Sequence, residues 1–568
     1  MTLKKLTLAL AIAGSSALLL SGCDGDDGRD GSNGGLIKLR LASTFTPADP
    51  IGAFDESAAE IVAYDRLNQR LFVVNANDVT VDVLDIADVN QPALLNTIDA
   101  SLEGGAANSV AVNGNLLAVA IEANTKTDNG KVVFYDTTSL ARLGEVTVGA
   151  LPDMVTFTPD GSKAVVANEG EPNDDYSIDP EGSVSVIDLS NGVANATVST
   201  ASFVPFNGQV AALRNAGVRI FGPNATVAQD LEPEYVAISA DGSTAFVSLQ
   251  ENNALALVDI DSATVSDISP LGFKNHNVFG NELDVSNKDD RINIRNWPVL
   301  GMYQPDTIAS YSVNGESFIV TANEGDARDY DGWTEEFRVK DLTLTGALTD
   351  DPSLQDDENL GRLRITSTMG ISNGCDASQF PADLGDLNGD LIVNVDDVVY
   401  QVEENCEYDA LYSYGARSFS IWNAAGELVF DSGNDFERIT AMRIPADFNS
   451  TNDENDSFDS RSDDKGPEPE ALALGKINGQ TYAFIGLERV GGIMVYNISN
   501  PEAPQFVQYI TSRDFSGVAD LGTAGDLAPE GMAFINASDS PSGKPLLAVG
   551  NEVSGTTSIF EIDVVTFQ

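Results

Sequence analysis

Pro152-Asp153-Met154-Val155-Thr156-Phe157-Thr158-Pro159-Asp160-Gly161-Ser162-Lys163-Ala164-Val165-Val166-Ala167-Asn168-Glu169-Gly170 is the stretch on which the fold turns. It reads as Pro with an acid, an apolar strand, a Pro-Asp-Gly turn, a second apolar strand and Asn-Glu. Apolar runs this short, bounded by Gly, Pro and Asp, predict strands. The same order recurs from Pro233-Glu234 to Gln250-Glu251, Pro305-Asp306 to Asn323-Glu324, Pro469-Glu470 to Leu487-Glu488, and Pro529-Glu530 to Asn551-Glu552. Two weaker copies come first, Ala59-Glu60-Ile61 leading to Asn75-Ala76-Asn77 and Asn108-Ser109-Val110 leading to Ile121-Glu122. Each unit closes with a further apolar run, such as Val184 to Asp188 or Ile493 to Ile498. Four short strands per unit, repeated along the chain, predict an all-β fold, a β-propeller of seven four-stranded blades.

That geometry gathers the repeated acids. The inner strand of a blade leaves one rim of the channel and the second strand returns to it, so Pro-acid and Asn-Glu share one mouth. The expected ring is Asp153, Glu234, Asp306, Glu470 and Glu530, backed by Glu122, Glu169, Glu251, Glu324, Glu488 and Glu552. Crowded carboxylates raise each other's pKa unless a cation or Arg compensates them, which points to a cation-centred site. The alternative is that these acids bond the amides of their own turns.

Charge narrows the partners. With 31 basic against 87 acidic residues the chain carries −56, so nucleic acid and anionic headgroups are repelled and divalent cations are favoured. His276 is the only histidine, which disfavours a His-type zinc site and Ser-His-Asp catalysis.

At the N-terminus Lys4 and Lys5 precede an apolar run, Leu6 to Leu20, that ends Leu20-Ser21-Gly22-Cys23. Residues 1–22 read as a secretory signal whose ending resembles a bacterial lipobox, with Cys23 as the acylated first residue of the mature chain. Residues 23–35 then form a polar tether, and 36–568 the propeller. The resulting expectation is an exported bacterial lipoprotein at the cell membrane or outer membrane, facing periplasm or exterior, with the lipid its sole membrane contact.

Several insertions interrupt the repeat. Phe203 to Gln229 has helical spacing at Val210, Leu213 and Ala216. Blade five is split, and within its insertion lies Asp386-Leu387-Asn388-Gly389-Asp390-Leu391-Ile392-Val393-Asn394-Val395-Asp396-Asp397. Side-chain oxygens from Asp386, Asn388, Asp390, Asn394 and Asp397, with the Ile392 carbonyl, have the spacing of a calcium loop and resemble a dockerin loop. Leu391 departs from it where Gly is usual. Cys375 and Cys406 flank the loop, an even pair once Cys23 is acylated, and predict a disulfide stapling an inserted unit at 370–408. By composition Asn449 to Glu470 reads as a disordered tether, and by position as a rim segment ordered by cations.

Ala322-Asn323-Glu324-Gly325-Asp326-Ala327-Arg328, Gly415-Ala416-Arg417-Ser418-Phe419-Ser420-Ile421-Trp422, Ser457-Phe458-Asp459-Ser460-Arg461-Ser462-Asp463-Asp464-Lys465-Gly466-Pro467-Glu468 and Gly486-Leu487-Glu488-Arg489-Val490-Gly491-Gly492 resemble the choice-of-anchor I family of bacterial surface proteins, as does Gly550-Asn551-Glu552-Val553-Ser554-Gly555-Thr556-Thr557. The resemblance spans roughly 36 to 568 and implies a surface protein related to the mesenchyme-specific cell-surface glycoproteins of animal biomineralisation. Some members carry an alkaline phosphatase label. Two functions follow as expectations. One is a calcium-dependent binding protein for an extracellular or mineral-associated ligand. The other is a calcium-dependent phosphoesterase, by analogy with propeller phytases, with metal on Glu324, Asp326, Glu470, Glu488 and Glu530 and phosphate on Arg328, Arg417, Arg461 and Arg489.

Overall fold

The computed structural model describes residues 36–565. The signal, Cys23 and tether expectations lie outside them. The all-β propeller reading holds: seven of the sheets among the described residues are four-stranded and antiparallel. The quoted stretch supplies Pro152–Phe157 and Lys163–Asn168, followed by Ser183–Asp188 and Thr197–Ser202 in order from the channel outwards. The innermost strands of successive sheets pack side by side, and that of the last sheet, Pro529–Ile535, lies against Val62–Asp65 of the first.

Position within the sheet explains the residue pattern. Lys163–Asn168 is apolar along most of its length because neighbouring sheets cover both its faces, and Val165, Val166 and Ala167 are fully buried. The outer strand Ala93–Asp99 faces water and accordingly carries Asn96, Thr97 and Asp99. The turn between the first two strands is set by Asp160, whose carboxylate accepts from the Ser162 amide at 3.0 Å, with Gly161 at φ 69°.

The first described strand completes the ring. Leu36–Phe45 pairs antiparallel with Thr556–Val565, placing Ile37 and Leu39 in an apolar cluster with Phe484, Val495 and Phe560. The two ends of the described chain thus share one sheet, which leaves no gap between the last sheet and the first.

Two long insertions build a cap with its own core. One leaves Asn323 and returns at Ser418; a Cβ on Gly325 would stand 2.0 Å from the Gly415 nitrogen, so its two ends touch. With the 271–301 insertion it forms a five-stranded sheet around Trp297, Phe337, Leu363 and Tyr408. Cys375 and Cys406 are joined by a disulfide within it, their Cα atoms 5.2 Å apart. A helix, Val210–Ala216, falls where its spacing predicts and ends at Gly217, φ 107°. The acidic segment from Asn449 to Glu470 is not a tether: Asn449, Asp459, Ser462 and Glu468 are buried in it, the last among three basic side chains. Composition misleads here because Arg461 and Lys465 within the segment, with Arg338, Arg362, Arg364 and Arg489 from outside it, pair with Asp463, Asp464 and Glu468.

Candidate functional site

The repeated phrase places each acid by two devices. Behind the Pro, the pairing register of the inner strand shifts between Pro152 and Met154, Pro233 and Val236, Pro469 and Leu472, and Pro529 and Met532. Such an irregularity re-aims a side chain out of the sheet, and here the residue concerned is the acid. Leu151, Gln304, Glu468 and Ala528, each just before the Pro, also sit at positive φ, between 40° and 58°. At the other end of the phrase the Asn holds and the Glu is left for the mouth. Asn168 donates to Ser183 and Ser185, Asn323 to Ser418 and Ser420, and Asn551 to Thr556 and Ser558 of the third strand.

The result is a cavity of about 580 Å³ at the channel mouth. Glu60, Asp153, Glu234, Asp306, Glu324, Asp326, Glu470, Glu488, Glu530 and Glu552 line it, with Lys465 and Arg489 its bases. Carboxylates converge in one repeated pattern, the inner acid and the Asn-Glu acid of one sheet with the inner acid of the next. Asp153, Glu169 and Glu234 form one such set, Asp306, Glu324 and Glu470 a second, and Glu530, Glu552 and Glu60 a third, each with ligand oxygens within 4.8 Å of one another. In every set one oxygen is buried without a hydrogen-bond partner: Oε2 of Glu234, of Glu470 and of Glu530.

The electrostatics follow from that crowding. Loss of bulk water, then Glu169 and Asp153, push Glu234 well above the ordinary carboxylate range. Glu470 rises likewise by burial, then Glu488 and Glu324, and Glu530 by burial, then Glu60 and Glu552. Glu60 is pushed up to about 8 by burial and Glu552, and Asp153 to about 7 by burial and Glu171. A fourth set, Glu324, Glu468 and Glu488, is different because bases already occupy it. Lys465 Nζ lies 2.8 Å from Glu324 and 3.2 Å from Glu468, and Arg489 lies 3.1 Å from Glu488 and 3.0 Å from Glu468.

The expected anion-binding arginines separate. Arg489 lines the cavity. Arg461 stands behind it on Glu468, at 2.7 Å. Arg328 is buried outside the mouth between Asp230, 2.6 Å, and Glu232, 2.7 Å. Arg417 is buried on Glu437 at 2.6 Å. Both have spent their donors on protein oxygens, so neither is offered to a phosphate in the mouth. Glu122 and Glu251 do not join the three sets. His276 is buried, donates from Nδ1 to the Asn281 carbonyl at 2.7 Å, and is pushed down to about 3 by burial and Lys274, so it is no base near neutrality.

Sequence reasoning does not reach Glu60, Glu468 or Lys465 as site residues. The alignment of Ala59-Glu60 with Pro-acid is the available signal for the first; for the others there is only their nearness to Pro469-Glu470. In the 386–397 loop the side chains turn onto local amides. Asp386 accepts from Gly389 at 2.7 Å, Asp390 from Ile392 at 2.8 Å, and Asp397 from Leu387 at 2.7 Å. Asn388 accepts from Asp390, and Asn394 caps the following helix. Leu391, at φ 71°, takes the left-handed turn for which Gly is usual.

No helix among the described residues is long and apolar enough to cross a membrane. Curated relatives include Gigasin-3a of Magallana gigas, 34% identical over 166 residues, covering 27% of this chain and 58% of that protein. The mesenchyme-specific cell surface glycoprotein of Strongylocentrotus purpuratus is 26% identical over 305 residues, covering 49% and 36%. The chain thus spans less than two thirds of either relative. Among solved structures, the Cps50 (Swd1) β-propeller domain of Myceliophteria thermophila aligns over 93% of this chain and 100% of that one, with 9% identity and a TM-score of 0.41. The WD40 domain of Toxoplasma gondii coronin aligns over 94% and 88%, with 10% identity and a TM-score of 0.43. The choice-of-anchor I domain matches residues 60–501, and the chain belongs to that family.

Proposed function

We propose that the channel mouth binds hard divalent cations, calcium first, and through them an anionic ligand outside the cell. The observation that carries this reading is the threefold carboxylate set, each with a buried oxygen that no protein group satisfies. Oxygen-only donors suit calcium, and a cation removes the repulsion that otherwise forces protons onto the ring. Asp153, Glu169, Glu234, Asp306, Glu324, Glu470, Glu530, Glu552 and Glu60 would hold the ions, and the exposed Asp326 would stand beside them. Turn-amide bonding, the other reading of these acids, does not account for the unpartnered oxygens. The 386–397 loop would take a further calcium ion, a reading its donor spacing supports. Family membership, the name of the sea-urchin relative and the expected acyl group on Cys23 together support a place on the cell envelope.

Lys465 and Arg489 in the same cavity favour a second reading, a phosphoesterase. There the bound cations would supply charge to an attacked phosphoester while these two bases orient it. The test is calcium binding by the full chain and by Glu470→Gln, Glu530→Gln, together with nitrophenyl phosphate and phytate hydrolysis with calcium and with chelator. Fewer bound calcium ions in the variant and no turnover support the binding protein. Calcium-dependent turnover lost in the variant supports the enzyme. Equal calcium binding by both proteins refutes the mouth as a metal site.

A further inference from the structure

A second cluster of buried polar groups joins the 271–301 insertion to the acidic segment, and its members do not line the mouth cavity. Asp284, Asn449 and Asp459 are each at most 2% exposed. Glu437 ties the first two together: its Oε2 accepts from the Asp284 amide at 2.9 Å and its Oε1 from Asn449 Nδ2 at 3.1 Å. Asn449 Nδ2 also donates to Ser462 Oγ at 2.9 Å, and that hydroxyl donates to Asp459 Oδ1 at 2.5 Å. The side chains of Asn449 and Asp459 therefore flank one hydroxyl. Each keeps a buried oxygen with no partner, Oδ1 of Asn449 and Oδ2 of Asp459.

Charge does not balance there. Arg417 answers Glu437, and Arg291 answers Asp289 at 3.1 Å. Asp284 accepts from the Ser286 and Asn293 amides, but among the described residues neither it nor Asp459 has a basic partner within salt-bridge distance. Burial and then Asp284 push Asp459 up to about 8, and burial and then Glu437 push Asp284 up to about 7. Two buried carboxylates without a counter-charge, beside two unpartnered oxygens, call for a positive ligand.

We propose that Asp284, Asp459 and Asn449 hold a divalent cation of the oxygen-seeking class, calcium first, independent of the mouth. Its effect would be to fix the segment that carries Asn452 and Lys465 into the mouth, where they reach Glu488 and Glu324 at 2.8 Å each. A cation here explains why so acidic a segment is folded, which neutralisation by Arg461 and Lys465 alone leaves incomplete at Asp459.

The test compares the full chain with Asp284→Asn, Asp459→Asn by calcium equilibrium dialysis and by thermal melting in calcium and in chelator. The expected result is one calcium fewer per chain and a reversal of order. The variant melts above the wild type in chelator, because the repulsion is gone, and below it in calcium. Should the double variant not fold, Asn449→Ala is expected to raise the calcium concentration needed for half-saturation of one site about tenfold. Unchanged stoichiometry, or an unchanged half-saturation in that single variant, overturns the proposal. So does a double variant that melts higher by the same amount in both media, the signature of a proton shared between Asp459 and Asn449 instead of a metal. The mouth variant Glu470→Gln, Glu530→Gln must retain the reversal.

Discussion

Glu468→Gln is the sharpest test of how the mouth is held. The Glu468 side chain is 0% exposed, with Arg461 at 2.7 Å, Arg489 at 3.0 Å and Lys465 at 3.2 Å. Burial alone would raise its pKa, but Lys465, Arg461 and Arg489 outweigh it and hold the carboxyl far below the ordinary range. Removing one partner of a buried ion pair costs about 3–5 kcal/mol, because the other charge stays uncompensated. Here Lys465 keeps Glu324, Arg461 keeps Asp464, and Arg489 keeps Glu488, which ionises more readily once Glu468 no longer repels it, so the lower end, about 3 kcal/mol, is expected. Unfolding entropies of about 2.1 cal/mol/K per residue give roughly 1.1 kcal/mol/K for some 530 residues, so Tm falls by about 3 °C. The pKa is depressed, so its stabilisation is present above the unfolded value of 4.5 and is lost as pH falls through the folded one. Thermal melts of both proteins should therefore differ by a constant amount near neutrality and begin to converge below about pH 4. A difference under about 1 °C at neutrality, or one that persists undiminished in acid, would refute the account.

Glu60 and Glu488 are raised from 4.5 to about 8, so their contribution is fully present below 4.5 and lost as pH rises through 8. The chelated protein should lose Tm steadily across that window, and saturating calcium should flatten the profile; a flat chelated profile would exclude the crowding described. Cys375→Ser, Cys406→Ser opens a loop of 31 residues, worth roughly 3–4 kcal/mol by chain entropy. Its cost is expected locally, as faster proteolysis of 370–408 with the ring intact, and equal cleavage rates would contradict the staple. Deleting Leu36–Phe45 removes Ile37 and Leu39, about 1.5–3 kcal/mol each, and exposes Thr556–Val565 as an open edge. Size-exclusion chromatography should then show self-association, while a stable monomer would mean the ring does not need that strand.

The fold was legible because the propeller repeats its punctuation. Pro-acid and Asn-Glu mark the same two points of the unit, and the physical reasons are visible in the shifted register behind Pro152 and in the grip of Asn168 on Ser183 and Ser185. What did not repeat was hidden. The closing strand Leu36–Phe45 does alternate, with Ile37 and Leu39 inward and Lys38 and Arg40 outward, but its partner lies at the other end of the described chain. Pairing across such a distance leaves no local mark.

The site divides along the same line. Acids set by the repeat converge where the repeat puts them, whereas the bases come from segments between the strands and had to be located by their partners. Arg328 finds Asp230 and Glu232 far earlier in the chain, and Arg417 finds Glu437 on the helix that follows it. An Arg in an acidic chain is therefore poor evidence of an anion site, since the chain's own carboxylates compete for it first. The reverse inference is stronger. A buried acid oxygen left without any hydrogen-bond partner stands out, and Glu234, Glu470 and Glu530 each have one at equivalent places in three different sheets. Repetition is what separates them from a chance orphan, because one packing defect does not recur at the same point of a repeat. If the mouth needed no cation, an Asn or Gln would keep the fold at those points without the repulsion, as Asn108 does in the second sheet.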